Sequence, residues 1–498
     1  MPVVTDRLQT LVAVPLAAAS VEALLDDSQR AATAGADVVE WRVDTCQQLG
    51  ASPEAVIAAI PRSPLPVLLT IRHVDETGAW NGSAEDRCRL LQAADVAGAA
   101  FIDIEFARLA DLGAWRPARA RLILSAHDFT SMGGDLGALI DRMRAAGGLP
   151  KVAVTARDAA DLTTIRELLV SRTGDLIALA MGEHGMPSRL LAGVWGSFLT
   201  FARLAEQTGS APGQPTVTDL IGRYRIHAQR SDWRILGVIG SPIAHSLSPH
   251  IHNAALTQDG VPAVYVPFRV EDPLAFWTAC GGWIHGLSIT IPHKHALLNA
   301  VSSVEPLVSA IGAMNTIAVI DGATQGGNTD AAAIIACVEK AAGNLNGKTV
   351  LCLGAGGVGR AIAHALASRG AILVIVNRTH ARAVELAAEV GGLAVSETEA
   401  YAVPYDVLVN GTAVGMGKPL ESPWPAVRHR AGTVVFDTVY TPLTTRLLHD
   451  AQAAGARTVP GLDMFILQAA EQYRRFTGRE PDTALMRAAA LARLNPSA

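Results

Sequence analysis

The first 222 residues alternate short apolar runs with amphipathic stretches, and this alternation restricts the folds open to the chain. Repeated strand–helix units favour a parallel sheet covered by helices. Eight units in about 220 residues match the lower size range of a (β/α)₈ barrel, with a doubly wound open sheet as the alternative. The predicted strands are residues 11–16, 38–43, 67–71, 100–106, 122–126, 151–155, 176–181 and 196–199. Amphipathic stretches such as 21–34, 85–96, 136–146 and 158–170 separate most of them.

Polar side chains occur at or near the carboxyl ends of several predicted strands: Glu40, Arg42, Arg72, Asp103, Glu105 and His127. In a (β/α)₈ barrel, chemistry takes place at this end of the strands. Each residue alone could be structural: Glu40 and Arg42 could form only an ion pair, and His127 could be a core histidine. Because all of these groups would converge on one barrel mouth, the sequence predicts a site there.

Lys151 opens the sixth predicted strand, where a lysine is costly unless it is paired or neutral. Burial lowers the pKa of a lysine, and the free amine is a nucleophile toward a ketone. His127 can then move protons during carbinolamine formation and enolisation. The arginines indicate a substrate that carries a carboxylate. Together these residues predict Schiff-base chemistry on a carbonyl substrate.

Length and composition limit the class of protein. The 498 residues are too many for one ordinary core and indicate two or three domains. The net charge of −5 shows no broad basic surface, so we expect no nucleic-acid partner. The five cysteines lack C-x-x-C and zinc spacing, which indicates reduced thiols in a cytoplasmic protein and no metal site. We also expect no secretory signal and no membrane span.

A glycine-rich turn follows a predicted strand at 349–353 and precedes an Ala-rich helical segment; its glycines, Gly354, Gly356 and Gly359, form G-x-G-x-x-G. In this context the first glycine makes the turn, the second lets the backbone approach a pyrophosphate, and the third lets helix and strand pack closely. Arg378 stands at the end of the next predicted strand, 371–376. An arginine there suits a 2′-phosphate and favours NADP over NAD, unless it is only a solvated loop residue.

Four more polar residues of the second half have a possible functional and a possible structural role. Ser246 and Ser248 precede a predicted helix, where they can offer hydroxyls to an anion, or Ser248 can cap the helix. Lys294 directly follows a strand predicted at 286–291, as a site residue or a surface lysine would. Asp330 lies near the start of another predicted helix, as a site residue or a cap.

The first half is similar to the type I 3-dehydroquinate dehydratases in six motifs that follow the family order: VEWRVD, TIRHVDETG, LSAHDF, PKVAV, GMPSRL and SAPGQ. The resemblance implies that this half removes water from 3-dehydroquinate to give 3-dehydroshikimate. It implies Lys151 as the imine-forming lysine, His127 as the general acid and base, and Glu76 as the acid that orients the histidine. The implied substrate contacts are Glu40, Trp41, Arg42, Arg72, Arg189, Ser210 and Gln214.

The second half resembles the shikimate dehydrogenases in nine motifs: GVIGSPIAHSLSPHIHN, LSITIPHK, GAMNT, GNTD, GAGGVGRA, NRTHAR, VNGTAVGM, FDTVYTPLTT and GLDMFILQAAEQ. The resemblance implies reduction of 3-dehydroshikimate to shikimate with NADPH, with Lys294 and Asp330 as the catalytic pair. The implied substrate contacts are Ser246, Ser248, Thr290, Asn315, Tyr440 and Gln468. The implied cofactor contacts are Gly354, Ala355, Gly356, Gly357, Val358, Asn377, Arg378, Thr379, Arg382, Gly461 and Met464. Ser288 departs from the family, which usually has asparagine there.

The two resemblances together imply a fused enzyme for two consecutive steps, acting on small molecules as a monomer or homodimer. The predicted organisation is a barrel at 1–227, a catalytic subdomain at 228–330, a Rossmann-type NADP subdomain at 331–475, and a C-terminal helix at 476–498 that packs back on the catalytic subdomain. A regulatory sensor without catalysis and an NAD-dependent quinate dehydrogenase are the alternatives. The four catalytic residues argue against the first, and Arg378 argues against the second.

Overall fold

The computed structural model describes residues 9–204 and 214–494, and these fall into two compact units. The first unit comprises the described residues up to Ile235, together with Pro242–Ala244 and Pro262–Trp283. The second comprises Leu236–Ser241, His245–Val261 and the described residues from Ile284 onward. The chain therefore passes between the units more than once. The four domain ranges expected from the sequence stay predictions.

Eight strands form the sheet of the first unit: β1 (Leu11–Leu16), β2 (Val38–Arg42), β3 (Val67–Thr70), β4 (Phe101–Glu105), β5 (Arg121–His127), β6 (Leu149–Thr155), β7 (Ile177–Met181) and β8 (Leu199–Phe201). All are parallel, in the order β7–β6–β5–β4–β3–β2–β1–β8. The Phe198 N–H donates to the Leu176 oxygen at 2.8 Å, just before the two outer strands. The barrel is thus almost closed, which confirms the predicted fold over the open sheet.

Helices lie between these strands: α1 (Val21–Thr33), α2 (Val43–Leu49), α3 (Pro53–Ala58), α4 (Ala84–Ala97), α5 (Leu136–Ala145), α6 (Leu162–Ser171), α7 (Gly182–Leu190) and α8 (Ala192–Trp195). Ser20 and Ser83 begin α1 and α4 by accepting backbone N–H groups of the first turn. The strand predicted at 196–199 is displaced. Gly196 ends α8 with a φ of +80°, so that β8 starts only at Leu199.

Alternate residues of the strands form layers inside the barrel. A layer toward the amino ends is apolar and includes Val38, Leu68, Phe101, Ile123, Leu149, Ile177 and Leu199. Two residues further along the same strands stand Glu40, Thr70, Asp103, Ser125 and Lys151, all buried. Because side chains of a strand alternate between its two faces, each of these polar groups follows directly above an apolar one. The polar layer therefore lies nearer the carboxyl ends.

The chain continues with β9 (Arg234–Gly240), α9 (Ser248–Gln258), β10 (Ala263–Arg269), α10 (Pro273–Cys280), β11 (Gly286–Ile289), β12 (Ser303–Val304), α11 (Pro306–Ile311), β13 (Thr316–Ile320) and β14 (Ala323–Gly327). Within the second unit, β9, β11, β13, β14 and β12 are hydrogen-bonded neighbours in that order. The pair β9–β11 is parallel, and β11–β13 is antiparallel. The loops after β9 and β11 therefore lie at one edge, where the Ser241 N–H donates to the Ile291 oxygen at 3.3 Å.

β10 and α10 belong to the first unit, although the sequence pattern assigns them to the second half. The hydroxyl of Thr163 on α6 donates to the Ala279 oxygen at 2.8 Å. On α7, His184 Nδ1 lies 3.1 Å from the Arg269 oxygen. The rings of Trp195 and Trp283 meet edge to face at 5.6 Å. These contacts pack the segment against the helices of the barrel.

The remaining elements are α12 (Thr329–Ala342), β15 (Thr349–Leu353), α13 (Gly357–Ala367), β16 (Ile372–Val376), α14 (His380–Val390), β17 (Leu393–Ala394), α15 (Glu397–Ala400), β18 (Val407–Asn410), β19 (Val434–Asp437), α16 (Arg446–Ala453), β20 (Arg457–Val459), α17 (Gly461–Thr477) and α18 (Thr483–Leu494). Their parallel sheet has the order β17–β16–β15–β18–β19–β20, the doubly wound arrangement of dinucleotide-binding domains. α18 packs against α9. Among the described helices, none combines the length and apolar character that crossing a bilayer needs.

Candidate active sites

Lys151 lies in a pocket at the mouth of the barrel and is 4% exposed. Its Nζ donates to Asp103 Oδ2 at 2.9 Å and lies 3.9 Å from Glu40 Oε1. The same ammonium is 4.6 Å from the centre of the Phe201 ring. The pocket is lined by Glu40, Arg42, Arg72, Glu76, Thr77, His127, Phe129, Lys151, Ala153, Leu179, Met181, Arg189, Phe201 and Gln214. The structure thus brings the predicted amine and its acid–base partners into one cavity.

Asp103 joins the lysine to an arginine through a buried network. Arg72 donates to Asp103 Oδ1 at 2.7 Å and to the Ser125 hydroxyl at 2.8 Å, and Ser125 also donates to Asp103 at 2.7 Å. Burial alone would raise the pKa of Asp103, but Arg72 and Lys151 hold it well below its usual range. The carboxylate therefore stays ionised and fixes the direction of the Lys151 side chain.

His127 and Glu76 form an acid–base pair beside the amine. His127 Nδ1 lies 2.8 Å from Glu76 Oε2. Burial lowers the pKa of His127, and the charges of Arg72 and Lys151 lower it further. Burial also raises the pKa of Glu76 to about 7. The lowered pKa of His127 keeps its imidazole neutral near neutral pH. When Glu76 is ionised and accepts the Nδ1–H, Nε2 is available to accept a proton.

The arginines of the pocket differ in their partners. Arg42 donates two hydrogen bonds to Asp44, of 3.0 and 2.7 Å. The ion pair of Arg42 is therefore formed with Asp44 and not with Glu40, the partner considered from the sequence. Arg189 donates to the Ala180 oxygen at 2.8 Å, and its buried Nε has no hydrogen-bond partner among the residues described. Burial lowers the pKa of Arg189 to about 10. Such a cation suits an anionic group of a ligand.

Two expected contacts of the barrel are not found in the pocket. Trp41 is fully buried on the opposite side of β2, where its Nε1 donates to the Ser28 hydroxyl of α1 at 3.1 Å. Adjacent residues of a strand face opposite sides, and Glu40 and Arg42 occupy the pocket side, so Trp41 is a packing residue. This corrects its assignment as a substrate contact. Ser210 lies outside the described residues.

Arg87 and Glu105 support the pocket from behind; Glu105 was among the polar residues expected at the barrel mouth, whereas Arg87 was not. Arg87 on α4 is 1% exposed, donates to the Ile71 oxygen at 2.6 Å and pairs with Glu105. Glu105 also accepts the His73 N–H at 2.8 Å and lies 3.4 Å from Arg72. The pair thus holds the loop that leads to Glu76. An arginine on the apolar face of α4 is the sequence signal that could have identified it.

In the second unit, Lys294 and Asp330 are in direct contact. Lys294 Nζ donates to Asp330 Oδ2 at 2.6 Å. Asp330 is 6% exposed, and the cap of its helix is instead Asn328, whose side chain accepts the Asp330 N–H at 3.1 Å. The two structural alternatives, a surface lysine and a capping aspartate, are therefore wrong. A partly buried lysine–carboxylate pair can move a proton.

Several predicted substrate contacts surround this pair. Asn315 Nδ2 donates to the Thr329 hydroxyl at 2.9 Å, and this hydroxyl lies 3.4 Å from Gln468 Oε1. The Tyr440 ring lies 5.0 Å from that of Phe465, one turn from Gln468 on α17. The network connects three polar residues to the segment that carries Asp330.

The serines and Thr290 lie at the edge where β9 and β11 end. The Ser248 N–H donates to the Ser246 hydroxyl at 3.3 Å, and α9 begins at Ser248 itself, so Ser248 is not its cap. Thr290 directly follows β11. Ser288, the departure from the family, donates its hydroxyl to Gln472 Oε1 at 2.9 Å and is thereby engaged with α17.

The glycine-rich turn has the shape that a dinucleotide needs. A Cβ on Gly359 would meet the Gly354 oxygen at 2.1 Å, whereas a Cβ on Gly356 would meet nothing within 4 Å. Helix and strand are thus in close contact beside an open space above Gly356. Asn377 accepts the Ala355 N–H at 3.0 Å. Nearby, Arg378, Thr379 and Arg382 are exposed, Gly357 and Val358 begin α13, and Gly461 and Met464 lie in the first turn of α17.

Comparisons with known proteins assign the two units. Family models match residues 12–231 as type I 3-dehydroquinase, 238–317 as the shikimate dehydrogenase substrate binding domain, 336–416 as shikimate/quinate 5-dehydrogenase, and 461–491 as the shikimate 5′-dehydrogenase C-terminal domain. The NADP⁺-dependent shikimate dehydrogenase of Halobacterium salinarum is 42% identical over 52% of this chain and 99% of its own length.

Two solved structures share the fold of the second half. A shikimate dehydrogenase in complex with NADP⁺ is 32% identical, with a TM-score of 0.51, and the match covers 53% of this chain and 97% of that one. The quinate dehydrogenase from Corynebacterium glutamicum in complex with NAD is 31% identical, with a TM-score of 0.50, over 52% and 99%.

One relative spans both units. The chloroplastic bifunctional 3-dehydroquinate dehydratase/shikimate dehydrogenase of Arabidopsis thaliana is 37% identical, and the match covers 94% of this chain and 82% of that protein. The two activities in its name correspond to the two sets of family models that match this chain, residues 12–231 and residues 238–491. The chain therefore belongs to the family of bifunctional 3-dehydroquinate dehydratases/shikimate dehydrogenases, and its cofactor is NADP.

Proposed function

We propose that the first unit dehydrates 3-dehydroquinate through an imine on Lys151. The observation that carries this is the buried Nζ, 2.9 Å from Asp103, in the same pocket as the His127–Glu76 pair. The amine attacks the ketone, and loss of water from the carbinolamine gives an iminium. His127 then removes the neighbouring ring proton, and the iminium takes up the electron pair. The electrons return from the enamine as the ring hydroxyl, protonated by the imidazolium of His127, leaves as water. Hydrolysis of the imine releases 3-dehydroshikimate and restores the lysine.

The other groups of this pocket bind and orient the substrate. Arg189 is the strongest candidate for the carboxylate, because its guanidinium is buried beside no acidic partner among the residues described. Arg42 is aligned by Asp44, and Arg72 by Asp103. Gln214 and Glu40 add hydrogen-bonding groups at the pocket wall. The role of Ser210 rests on the family motif alone.

In the second unit, Lys294 and Asp330 move a proton at the reacting oxygen. Bound NADPH supplies the hydride that converts 3-dehydroshikimate to shikimate. Gly354–Val358 and Asn377 would hold the pyrophosphate end, Arg378, Thr379 and Arg382 the 2′-phosphate, and Gly461 and Met464 the nicotinamide end. Ser246, Ser248, Thr290, Asn315, Tyr440 and Gln468 would orient the substrate. The open space above Gly356 supports this arrangement.

Borohydride trapping tests the imine. In the presence of 3-dehydroquinate and borohydride, the wild type should gain the mass of a reduced adduct and lose dehydratase activity. Lys151→Ala should gain no mass. Lys294→Ala is the matched control, and it should be trapped like the wild type. An adduct of equal yield on Lys151→Ala would overturn the assignment.

Oxidation of quinate with NAD is the second candidate activity of the second unit. The likeness to the NAD-bound quinate dehydrogenase and the departure at Ser288 favour it. Arg378 at the end of β16 favours NADP and shikimate. Initial rates with shikimate and quinate, each with NADP⁺ and NAD⁺, decide between them; we expect shikimate with NADP⁺ to give the highest kcat/KM.

We further propose that the protein acts in the cytoplasm as a monomer or homodimer. The five free cysteines support a reducing compartment. Sedimentation of the purified protein at several concentrations would distinguish the two states of association.

A further inference from the structure

The space above the glycine-rich turn is bordered by a histidine. Gly357 is the first residue of α13. A Cβ built on it would lie 3.6 Å from Nε2 of His295, and apart from its chain neighbours and the backbone of α13 it would meet no other atom within 4 Å. At the preceding position, Gly356, the space is open. His295 therefore presents a ring nitrogen where the first backbone N–H groups of α13 would meet a phosphate.

The ring of His295 is oriented by its other nitrogen. Nδ1 lies 2.5 Å from the Gly312 oxygen. A carbonyl oxygen can only accept, so Nδ1 carries a proton and Nε2 is left for a second partner. The anchoring loop is itself tied to the cofactor helix, because Arg360 on α13 donates its Nε to the Ile311 oxygen at 3.0 Å. The imidazole and the helix are thus held by adjacent carbonyl groups, those of Gly312 and Ile311. Because the two groups are already fixed, less side-chain entropy is lost when a ligand binds both.

We propose that His295 is a further ligand of the cofactor: with both ring nitrogens protonated, it donates its Nδ1–H to Gly312 and its Nε2–H to an oxygen of the NADP pyrophosphate. The residue directly follows Lys294, so the same short segment would bind the cofactor and carry the catalytic amine. This inference rests on the phosphate position proposed for Gly354–Val358. A protonated imidazole opposite a pyrophosphate makes a charge-assisted hydrogen bond, the stronger kind.

Two substitutions in the full-length protein distinguish the roles of the two ring nitrogens of His295. In His295→Asn the amide can reach Gly312 but not the phosphate; in His295→Gln a neutral donor can reach the position of Nε2. We expect the Kd of NADPH, measured by quenching of protein fluorescence, to rise about tenfold in His295→Asn and less in His295→Gln. The Kd of NADH should rise by the same factor, because both cofactors contain the pyrophosphate.

Adenosine 2′-monophosphate is the probe that distinguishes binding from damage to the fold. It has no pyrophosphate, so its Kd should be the same in His295→Asn and in the wild type. His449→Asn, an exposed histidine on α16, is the control and should bind NADPH normally. An unchanged Kd for NADPH in His295→Asn, or an equal weakening of adenosine 2′-monophosphate, overturns the proposal. The wild-type titration tests cofactor binding itself, so a failure of the proposed function would appear there first.

Discussion

Lys151 donates to one carboxylate, that of Asp103, at 2.9 Å, closer than Glu40 at 3.9 Å. The carboxylate of Asp103 is fully buried and contacts both the amine and the guanidinium of Arg72. A buried carboxylate of this kind would be costly without these two cations. It keeps the amine inside an apolar barrel and aimed at the pocket. Arg189, by contrast, has no acidic partner among the described residues, so its guanidinium can meet an anionic ligand.

Glu105 is expected to set the pH at which the dehydratase loses activity in acid. The pKa of Glu76, about 7, is raised by burial first and then by the charges of Glu105 and Asp103. Glu105→Gln removes one negative charge, so the pKa of Glu76 should fall. If ionised Glu76 aligns His127, the acid limb of the kcat/KM profile should move to lower pH by roughly half a unit.

A neighbouring acid provides the control for this change. Asp111→Asn alters a carboxylate that lies 3.5 Å from Arg87 and is not among the charges that shift the pKa of Glu76, so it should leave the acid limb in place. A lower plateau without a shift of the limb in Glu105→Gln would mean that Glu105 only supports the loop. The variant would then be slow for structural reasons.

Residue assignments depend on which face of a strand or helix a side chain occupies. Lys151, His127, Arg189 and Gln214, which the motifs propose as site residues, line one pocket, whereas Trp41, which they also include, faces α1. Strand alternation alone separates Trp41 from its two neighbours. Arg87 was missed because its partner Glu105 is distant in sequence, and no local pattern joins a helix to the next strand.

At the scale of elements, alanine substitutions of two glycines in the turn between β15 and α13 should have different effects. One should change stability and the other NADPH binding. Gly359→Ala would place a methyl group 2.1 Å from the Gly354 oxygen, which should lower the free energy of unfolding by about 1–3 kcal/mol. Gly356→Ala meets open space and should leave that free energy nearly unchanged while it weakens NADPH binding. Urea denaturation and fluorescence titration measure the two effects. Equal destabilisation by both substitutions would contradict this view of the turn.

His227 connects the end of the barrel to the start of β2. Its Nε2 lies 2.8 Å from Asp37 Oδ2, and this hydrogen bond raises the pKa of His227. The pair therefore stabilises the folded state below about pH 6.5, the pKa of an unfolded histidine, and the effect disappears as pH rises through the folded pKa.

His227→Gln should thus cost about 0.5 kcal/mol of unfolding free energy at pH 5.5 and almost nothing at pH 9. Denaturant titrations of variant and wild type at both pH values provide the measurement. A loss that is the same at both values would show that packing, not the charged pair, is responsible.

Most elements could be predicted from apolar periodicity, whereas their ends depended on local geometry. β1 and β15 agree residue for residue with the expectation. β8 does not, because a glycine with positive φ continued a helical turn where apolar residues favoured a strand. Asn328 rather than Asp330 caps α12, and two neighbouring polar residues cannot be ranked as caps without coordinates.

At the scale of the whole molecule, the two activities should be separable by single substitutions. Lys151→Ala should abolish dehydration and keep reduction of 3-dehydroshikimate, and Lys294→Ala should do the reverse, because each unit holds its own reacting groups. A mixture of the two variants should convert 3-dehydroquinate to shikimate with consumption of NADPH. Absorbance at the NADPH band follows the reaction. A mixture that forms 3-dehydroshikimate but no shikimate would contradict the division of labour.

The class of each half and its reaction could be predicted from the motifs, but the grouping of segments could not. Nothing in Pro262–Trp283 distinguishes it from the dehydrogenase sequence around it. Only the packing of Ala279 on Thr163 and of Trp283 on Trp195 assigns it to the first unit. Such contacts join positions more than eighty residues apart, beyond the range of any periodic pattern.

That packing affects how such a gene could have been assembled or could now be divided. A recombination event at residue 227 would transfer the barrel without β10 and α10, and would remove the contacts that Thr163 of α6 and Trp195 of α8 make with Ala279 and Trp283. A protein that descends from such an exchange would need another segment in place of β10 and α10, or polar residues at the positions of α6 and α8 that had contacted them. The two reactions are expected to be separable by single substitutions, but a cut of the coding sequence at residue 227 would divide the first unit.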